Sequence, residues 1–145
     1  MKKTICTAAF AAFSLFGGLA HAQASNTILV EFQGPGGHSS SNYGRTSALH
    51  AASRAVIELQ KAGLPLGSYT ILQLQGGNSV NSIASDGSFV VRPNPQLNVG
   101  ASGLVDKVNA AAKAGAEAEN AFRNVKPGDL TAGAPADIRY RVTLQ

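Results

Sequence analysis

The sequence holds one cysteine, Cys6, and no tryptophan. A single cysteine cannot build a disulfide framework, so the fold has to stand on packing alone. Histidine is scarce as well, with His21, His38 and His50 only. There is no His-x-Asp, no His-Glu-x-x-His and no adjacent acidic pair, and Asp86, Asp106, Asp129 and Asp137 are scattered. A metal centre needs three or four clustered ligands, so none is expected within this chain. Charge is sparse at 14% of residues, and a net +4 is too weak to argue for a nucleic-acid partner. No Gly-x-Ser-x-Gly elbow, phosphate loop or Gly-x-Gly-x-x-Gly turn occurs, which removes the common signatures of serine hydrolases and nucleotide binders. After residue 19 no apolar run approaches the roughly 20 residues needed to cross a bilayer.

The first 22 residues have a different character. Lys2 and Lys3 precede a small apolar stretch over residues 4–19, and Ala20-His21-Ala22 has the small-x-small form of a cleavage site. This reads as a secretory signal, the alternative being a retained amphipathic anchor. Cleavage after Ala22 removes Cys6, Met1 and both early lysines, leaving a net charge of +2. The expectation is an exported protein, periplasmic or secreted, free of the membrane after cleavage. Residues 23–145 then form one domain with a single modest core.

Periodicity divides that domain into six elements. Residues 27–33, "TILVEFQ", alternate, with Ile28, Val30 and Phe32 on one face. Residues 47–62 carry Ala48, Ala52, Ala55 and Leu59 at helical spacing, widened by Leu49 and Val56, with Thr46 or Ser47 as cap and Gly63 and Pro65 as stop. Residues 69–75, "YTILQLQ", and 88–92, "SFVVR", read as strands. The stretch between them is too long for a tight hairpin. Residues 103–124 form a second helix on the stripe Leu104, Val108, Ala111, Gly115, Ala118 and Phe122, capped by Ser102. Gly115 costs about 1 kcal/mol there, which close packing would offset. Residues 125–137 read as loop, and 138–144, "IRYRVTL", as the last strand.

The order β-α-β-β-α-β predicts an α+β, ferredoxin-like two-layer sandwich. Four antiparallel strands form one layer and both helices the other, with the first and third strands central. Arg139 and Arg141 guard one edge strand, whereas 69–75 carries neither charge nor proline. Such an edge is an aggregation hazard, a strand covered by a loop or terminus, or a docking surface. Docking is the reading adopted, because an exported chain must stay soluble.

The remaining puzzle is "GPGGHSSSNYG", a Gly/Ser loop holding one imidazole, His38. Its serine neighbours do not by themselves make a hydrolytic site. His50 reads as a solvated or capping side chain. "GPGGHSS", "ALHAASRAVIEL", "QGGNSVNSI" and "SFVVR" together resemble the dimerisation (lid) domain of the aminoacylase, carboxypeptidase G and diaminopimelate desuccinylase family of zinc metallopeptidases. The resemblance runs over residues 26–145 and implies the same βαββαβ fold.

In that family the lid pairs two subunits by a strand edge and a helix, and it reaches into the partner's active site. The resemblance therefore implies that His38 contacts a scissile carbonyl, Asn81 helps bind substrate and Arg92 grips a carboxylate. It implies a dimer edge at Tyr69, Ile71, Leu72 and Leu74. The chemistry of these side chains suits those roles, and so does a plain structural role for each. The family's zinc is held by a catalytic domain whose two halves flank the lid and are absent from this sequence, so no cofactor is expected here. The expected partner is a second copy or a metallopeptidase chain. The chain would be a stand-alone dimerisation module without catalysis of its own, a component completing a separate zinc peptidase or amidohydrolase, or the nonfunctional remnant of an internal deletion.

Overall fold

The computed structural model describes residues 27–97 and 101–145. The leader expected over residues 1–22 lies outside the described residues. Six elements follow one another: β1 (Ile28–Gln33), α1 (Ala48–Gln60), β2 (Tyr69–Gly76), β3 (Asp86–Pro93), α2 (Ala101–Phe122) and β4 (Arg139–Leu144). The sheet is antiparallel throughout in the order β2-β3-β1-β4, so the first and third strands are central as expected. Among the described residues, no helix is long and apolar enough to cross a membrane.

The period-2 pattern of β1 decides which face is covered. Ile28, Val30 and Phe32 are buried, while Leu29 and Glu31 are partly open. Register carries that face across the sheet: Val30 lies opposite Phe89 on β3 and Val142 on β4. Phe32 sits with its ring centroid 6.2 Å from Phe89 and 6.3 Å from Tyr140, distances at which aromatic pairs attract. Full burial of Phe89, Ile28, Leu59 and Leu104 contributes roughly 1.5–3 kcal/mol for each side chain. The helices add mostly alanine: Ala48, Ala51, Ala52 and Ala55 from α1, and Ala111, Ala112 and Ala116 from α2. Small side chains stabilise less individually, but they let two helices lie close together over the larger sheet residues.

Caps follow the local chemistry. Ser47 is the N-cap of α1, and its Oγ accepts from the His50 N–H at 3.4 Å. The first turn of α1 holds no acidic residue, and that lack is met from elsewhere, as described below. Ser102 lies within α2, which begins at Ala101, so it is not the cap; the residues before Ala101 are outside the description.

Three details depart from the sequence reading. The buried stripe of α2 runs through Ala112, Ala116 and Glu119, and Ala118 and Phe122 are exposed. Glu119 is fully buried and paired, and Phe122 stays outside with the guanidinium groups of Arg54 and Arg123 each 4.9 Å from its ring centroid. The 125–137 loop contains a short hairpin, Leu130–Thr131 against Ala134–Pro135, turning through Ala132 and Gly133 at positive φ. Finally, β2 is not a plain strand. Ile71 pairs with Val91 and Gln73 with Val90, so Leu72 is the extra residue of a β-bulge, a feature that twists an edge.

Candidate functional site

Two loops at one end of the sheet hold the site. The first leaves β1 after Gln33, and the second leaves β2 after Gly76. Their backbones join in a two-rung antiparallel ladder, Gly37 to Ile83 and His38 to Ser82. Ser39 N–H donates to the Asn81 carbonyl at 2.9 Å, and Gly34 N–H to the Ser85 carbonyl at 2.9 Å. The second loop also anchors α1, since Ala48 N–H donates to the Ala84 carbonyl at 2.9 Å.

Glycine is needed where the loops touch. Gly36 has φ +64°, and a Cβ there would lie 2.7 Å from Ser85 Cβ. Gly37 has φ +141°, and its Cβ would lie 2.8 Å from the Asn42 side chain. A side chain at Gly36 would push the two loops apart, one at Gly37 would displace the Asn42 side chain within the first loop, and either would strain the backbone. Asn42 closes the turn after His38, with its N–H and its Nδ2 both donating to the His38 carbonyl at 2.9 and 3.2 Å. Arg45 Nη1 donates to the Gly36 carbonyl at 3.0 Å.

This arrangement brings His38 and Asn81 together. The two side chains, 43 residues apart in sequence, meet with Asn81 Nδ2 3.1 Å from His38 Nε2. Ser40 Oγ is 2.9 Å from His38 Nδ1 on the opposite side of the ring. Both His38 and Asn81 are exposed, and Tyr43 and Val80 at the loop tips are almost wholly in solvent. Beside the first loop lies an open cleft of about 520 Å³ whose lining includes Asn42, Tyr43, Arg45, Asp129 and Thr131.

Arg92 is elsewhere. It is exposed on the sheet face away from the helices and lies opposite Thr70, near the far end of β3. At a rise of about 3.3 Å per residue it stands on the order of 20 Å along the strand from Asp86, the residue nearest the loops. One chain does not place Arg92 beside His38 and Asn81. Of the four edge residues, Tyr69 and Ile71 are half-buried against the core, and burial raises the Tyr69 phenol above its ordinary pKa. Leu72 and Leu74 are 46% and 43% exposed.

Sequence reasoning missed a buried charge cluster around Glu119. Glu119 Oε1 accepts from Ser47 N–H at 3.1 Å and from Arg123 Nε at 3.3 Å, and Oε2 accepts from Arg54 Nε at 3.1 Å. His50 Nδ1 lies 3.8 Å from Oε1, so the exposed His50 borders this cluster while its own backbone N–H is capped. The only signal available was a glutamate at the step of four after Gly115, where an apolar residue would continue the stripe.

Among the described residues, no three His, Cys, Asp or Glu side chains come together as a metal ion would require. The described residues do not fit a zinc ion.

Residues 22–120 match the family described as "Peptidase dimerisation domain". The chain belongs to that family. No protein of curated function matches the sequence of this dimerisation domain. Among solved structures, it is similar to a hydantoinase/carbamoylase family amidase from Burkholderia ambifaria, at 19% identity and a TM-score of 0.58, over 83% of this chain and 27% of that one. It is similar to an aminobenzoyl-glutamate utilization protein from Klebsiella pneumoniae, at 16% identity and a TM-score of 0.56, over 82% and 27%. A third likeness is to an amidase of the hydantoinase/carbamoylase family from Burkholderia multivorans, at 20% identity and a TM-score of 0.50, over 83% and 26%. At these identities the likeness is one of fold, and this dimerisation domain spans about a quarter of the length of those chains.

Proposed function

We propose that this chain is a dimerisation module that pairs along β2 and thereby presents the His38 and Asn81 loops to a second protein. The observation that carries the reading is the β2 edge. In a member of the peptidase dimerisation family, the outer strand carries no charged side chain and leaves Leu72 and Leu74 in solvent, with Ile57 of α1 exposed as well. The other edge, β4, differs: Arg141 is bound to Glu31 at 2.7 Å and Arg139 to Gln33 at 3.0 Å, and such polar pairs discourage strand addition. The bulge at Leu72 leaves 73–76 as the longer straight run for a partner strand. The module has no catalysis of its own in this reading, and the leader-like first 22 residues support export.

Sedimentation equilibrium over a concentration series tests it. The chain is expected to be a dimer, and Leu72→Lys is expected to weaken the dimer by about 10- to 100-fold, the equivalent of losing one buried leucine. A wild-type chain that stays monomeric at every concentration sinks the self-pairing reading.

A second reading is favoured by the meeting of His38 with Asn81 at an exposed loop end: the module completes the active site of a separate zinc peptidase or amidohydrolase chain. An imidazole N–H aimed at a developing oxyanion is worth about 10²–10³ in turnover. Added to such an enzyme lacking its own dimerisation domain, the chain should raise turnover, and His38→Ala should remove that rise. Unchanged turnover with the wild-type chain counts against it. Arg92 can serve the same ligand only from a different chain than the one supplying His38, given their separation along β3.

A further inference from the structure

The open cleft beside the first loop is separate from His38 and Asn81, neither of which lines it. One wall is the first loop, with Tyr43 and Arg45, and the other is the connection between α2 and β4, with Asp129 and Leu130. The walls are tied together by the buried Thr46, whose Oγ1 donates to the Ala136 carbonyl at 2.6 Å. A volume of about 520 Å³ falls within the roughly 300–1,000 Å³ of small-molecule sites.

The cleft holds one charge of each sign, and the two do not pair. Every Asp and Glu of the chain is among the described residues, and none comes within 4.0 Å of the Arg45 guanidinium. Among the described residues, no Lys, Arg or His comes within that distance of Asp129. Both charges are nonetheless held in place. Arg45 is half-buried, and its Nη1 donates to the Gly36 carbonyl at 3.0 Å. A guanidinium has five N–H groups, so donors remain for a ligand. Asp129 Oδ2 accepts from the Lys126 backbone N–H at 2.7 Å, and the Asp129 carbonyl accepts from Ala136 N–H at 2.8 Å. Oδ1 has no bond among the described residues. Groups fixed before a ligand arrives lose little freedom on binding it. A simple anion would meet Arg45 but be repelled by Asp129, and a simple cation would meet the reverse. Only a molecule carrying both charges satisfies both walls.

We propose that this cleft binds a small zwitterion of the amino-acid or short-peptide class. Its carboxylate lies on the Arg45 guanidinium and its ammonium on Asp129 Oδ1, with an apolar side chain against the exposed Tyr43 and Leu130. A planar carboxylate matches the guanidinium fork, which is why arginine rather than lysine suits this wall. None of the lining residues belongs to β2, so the site goes beyond the pairing reading and stands whether or not the chain dimerises.

Titration of the ¹⁵N-labelled full chain with leucine and with leucyl-leucine, followed by amide ¹H–¹⁵N shifts, tests it. The two probes differ in the spacing of ammonium and carboxylate. At least one is expected to saturate in about the millimolar range. The shifts should centre on residues 41–46 and 129–131, which line the cleft. Removing either charge from that probe, by N-acetylation or by amidation of its carboxylate, should weaken binding about tenfold or more. Asp129→Asn and Arg45→Gln should each weaken it by a similar factor. Asp129 is exposed, and asparagine still accepts from the Lys126 N–H, so amide shifts away from the cleft should stay in place in that variant and report an intact fold. Failure of both probes to saturate overturns the proposal. Equal binding by the N-acetylated probe or by inorganic phosphate overturns it as well, since either would mark a plain anion site. An affinity unchanged in Asp129→Asn does the same.

Discussion

Gly115→Ala is expected to destabilise the chain by about 1–3 kcal/mol, the usual penalty of overpacking. Helix propensity alone predicts the opposite sign, because alanine is favoured over glycine by about 1 kcal/mol in a helix interior. Position decides which effect wins. A Cβ on Gly115 would lie 2.6 Å from the Ala51 carbonyl oxygen and 2.6 Å from Ala55 N. Both are backbone atoms of α1, and neither can swing aside as a long side chain would. The two helices would have to separate, opening the contacts that Ala51, Ala52, Ala111 and Ala112 make in the core. Gly103 provides the control within the same helix: a Cβ there meets nothing within 4 Å. Gly103→Ala should therefore leave stability unchanged or raise it by up to about 1 kcal/mol. Urea unfolding of the two variants beside the wild-type chain reads the contrast. Equal behaviour of the two alanines would mean that the helices do not cross at Gly115 as described.

Glu119→Ala should cost still more, about 2–4 kcal/mol, seen as a fall in Tm on the order of 10 °C. Glu119 is fully buried, and its carboxylate ties α2 to the start of α1 by accepting the Ser47 N–H. It also supplies the negative charge that the first turn of α1 lacks, where the helix dipole is positive. Truncation leaves the Ser47 N–H without a partner in a buried place and opens a cavity. The two arginines soften the loss. Their side chains are 36% and 20% exposed, so they regain water when the carboxylate is removed. Glu119→Gln keeps an acceptor for Ser47 and gives up the charge, so about half the effect is expected. Arg54→Ala should cost no more than about 1 kcal/mol, because Arg54 is partly solvated and Arg123 still faces the carboxylate. A Glu119→Ala chain that melts with the wild type would show that the cluster does not hold the helices together.

The sequence by itself determined the order of elements, the strand order and the faces that β1 and α1 bury. Those features are written in short-range patterns: alternation in β1, the alanine spacing of α1 and the Ser47 cap. An apolar period reports which side of an element avoids water, and it needs only neighbours along the chain. The pattern failed in the last turn and a half of α2 because burial of a charge depends on partners remote in sequence. Arg54 and Ser47 lie 65 and 72 residues from Glu119, and only the folded chain brings them within reach. The bulge at Leu72 was hidden for a related reason: a strand's register is a property of a pair, and the extra residue appears only when β2 is laid against β3.

The candidate site divides in the same way. His38 was conspicuous as the single imidazole in a Gly/Ser loop, and the resemblance paired it with Asn81 and Arg92. Tertiary structure decided that His38 and Asn81 touch, through a ladder between two loops that start from different strands, and that Ser40 grips the other side of the ring. It also decided that Arg92 stands apart, since a strand of eight residues carries its two ends on the order of 20 Å from each other. Residue types and spacing state which chemistry is available; which groups share a ligand is set by the path of the backbone between them.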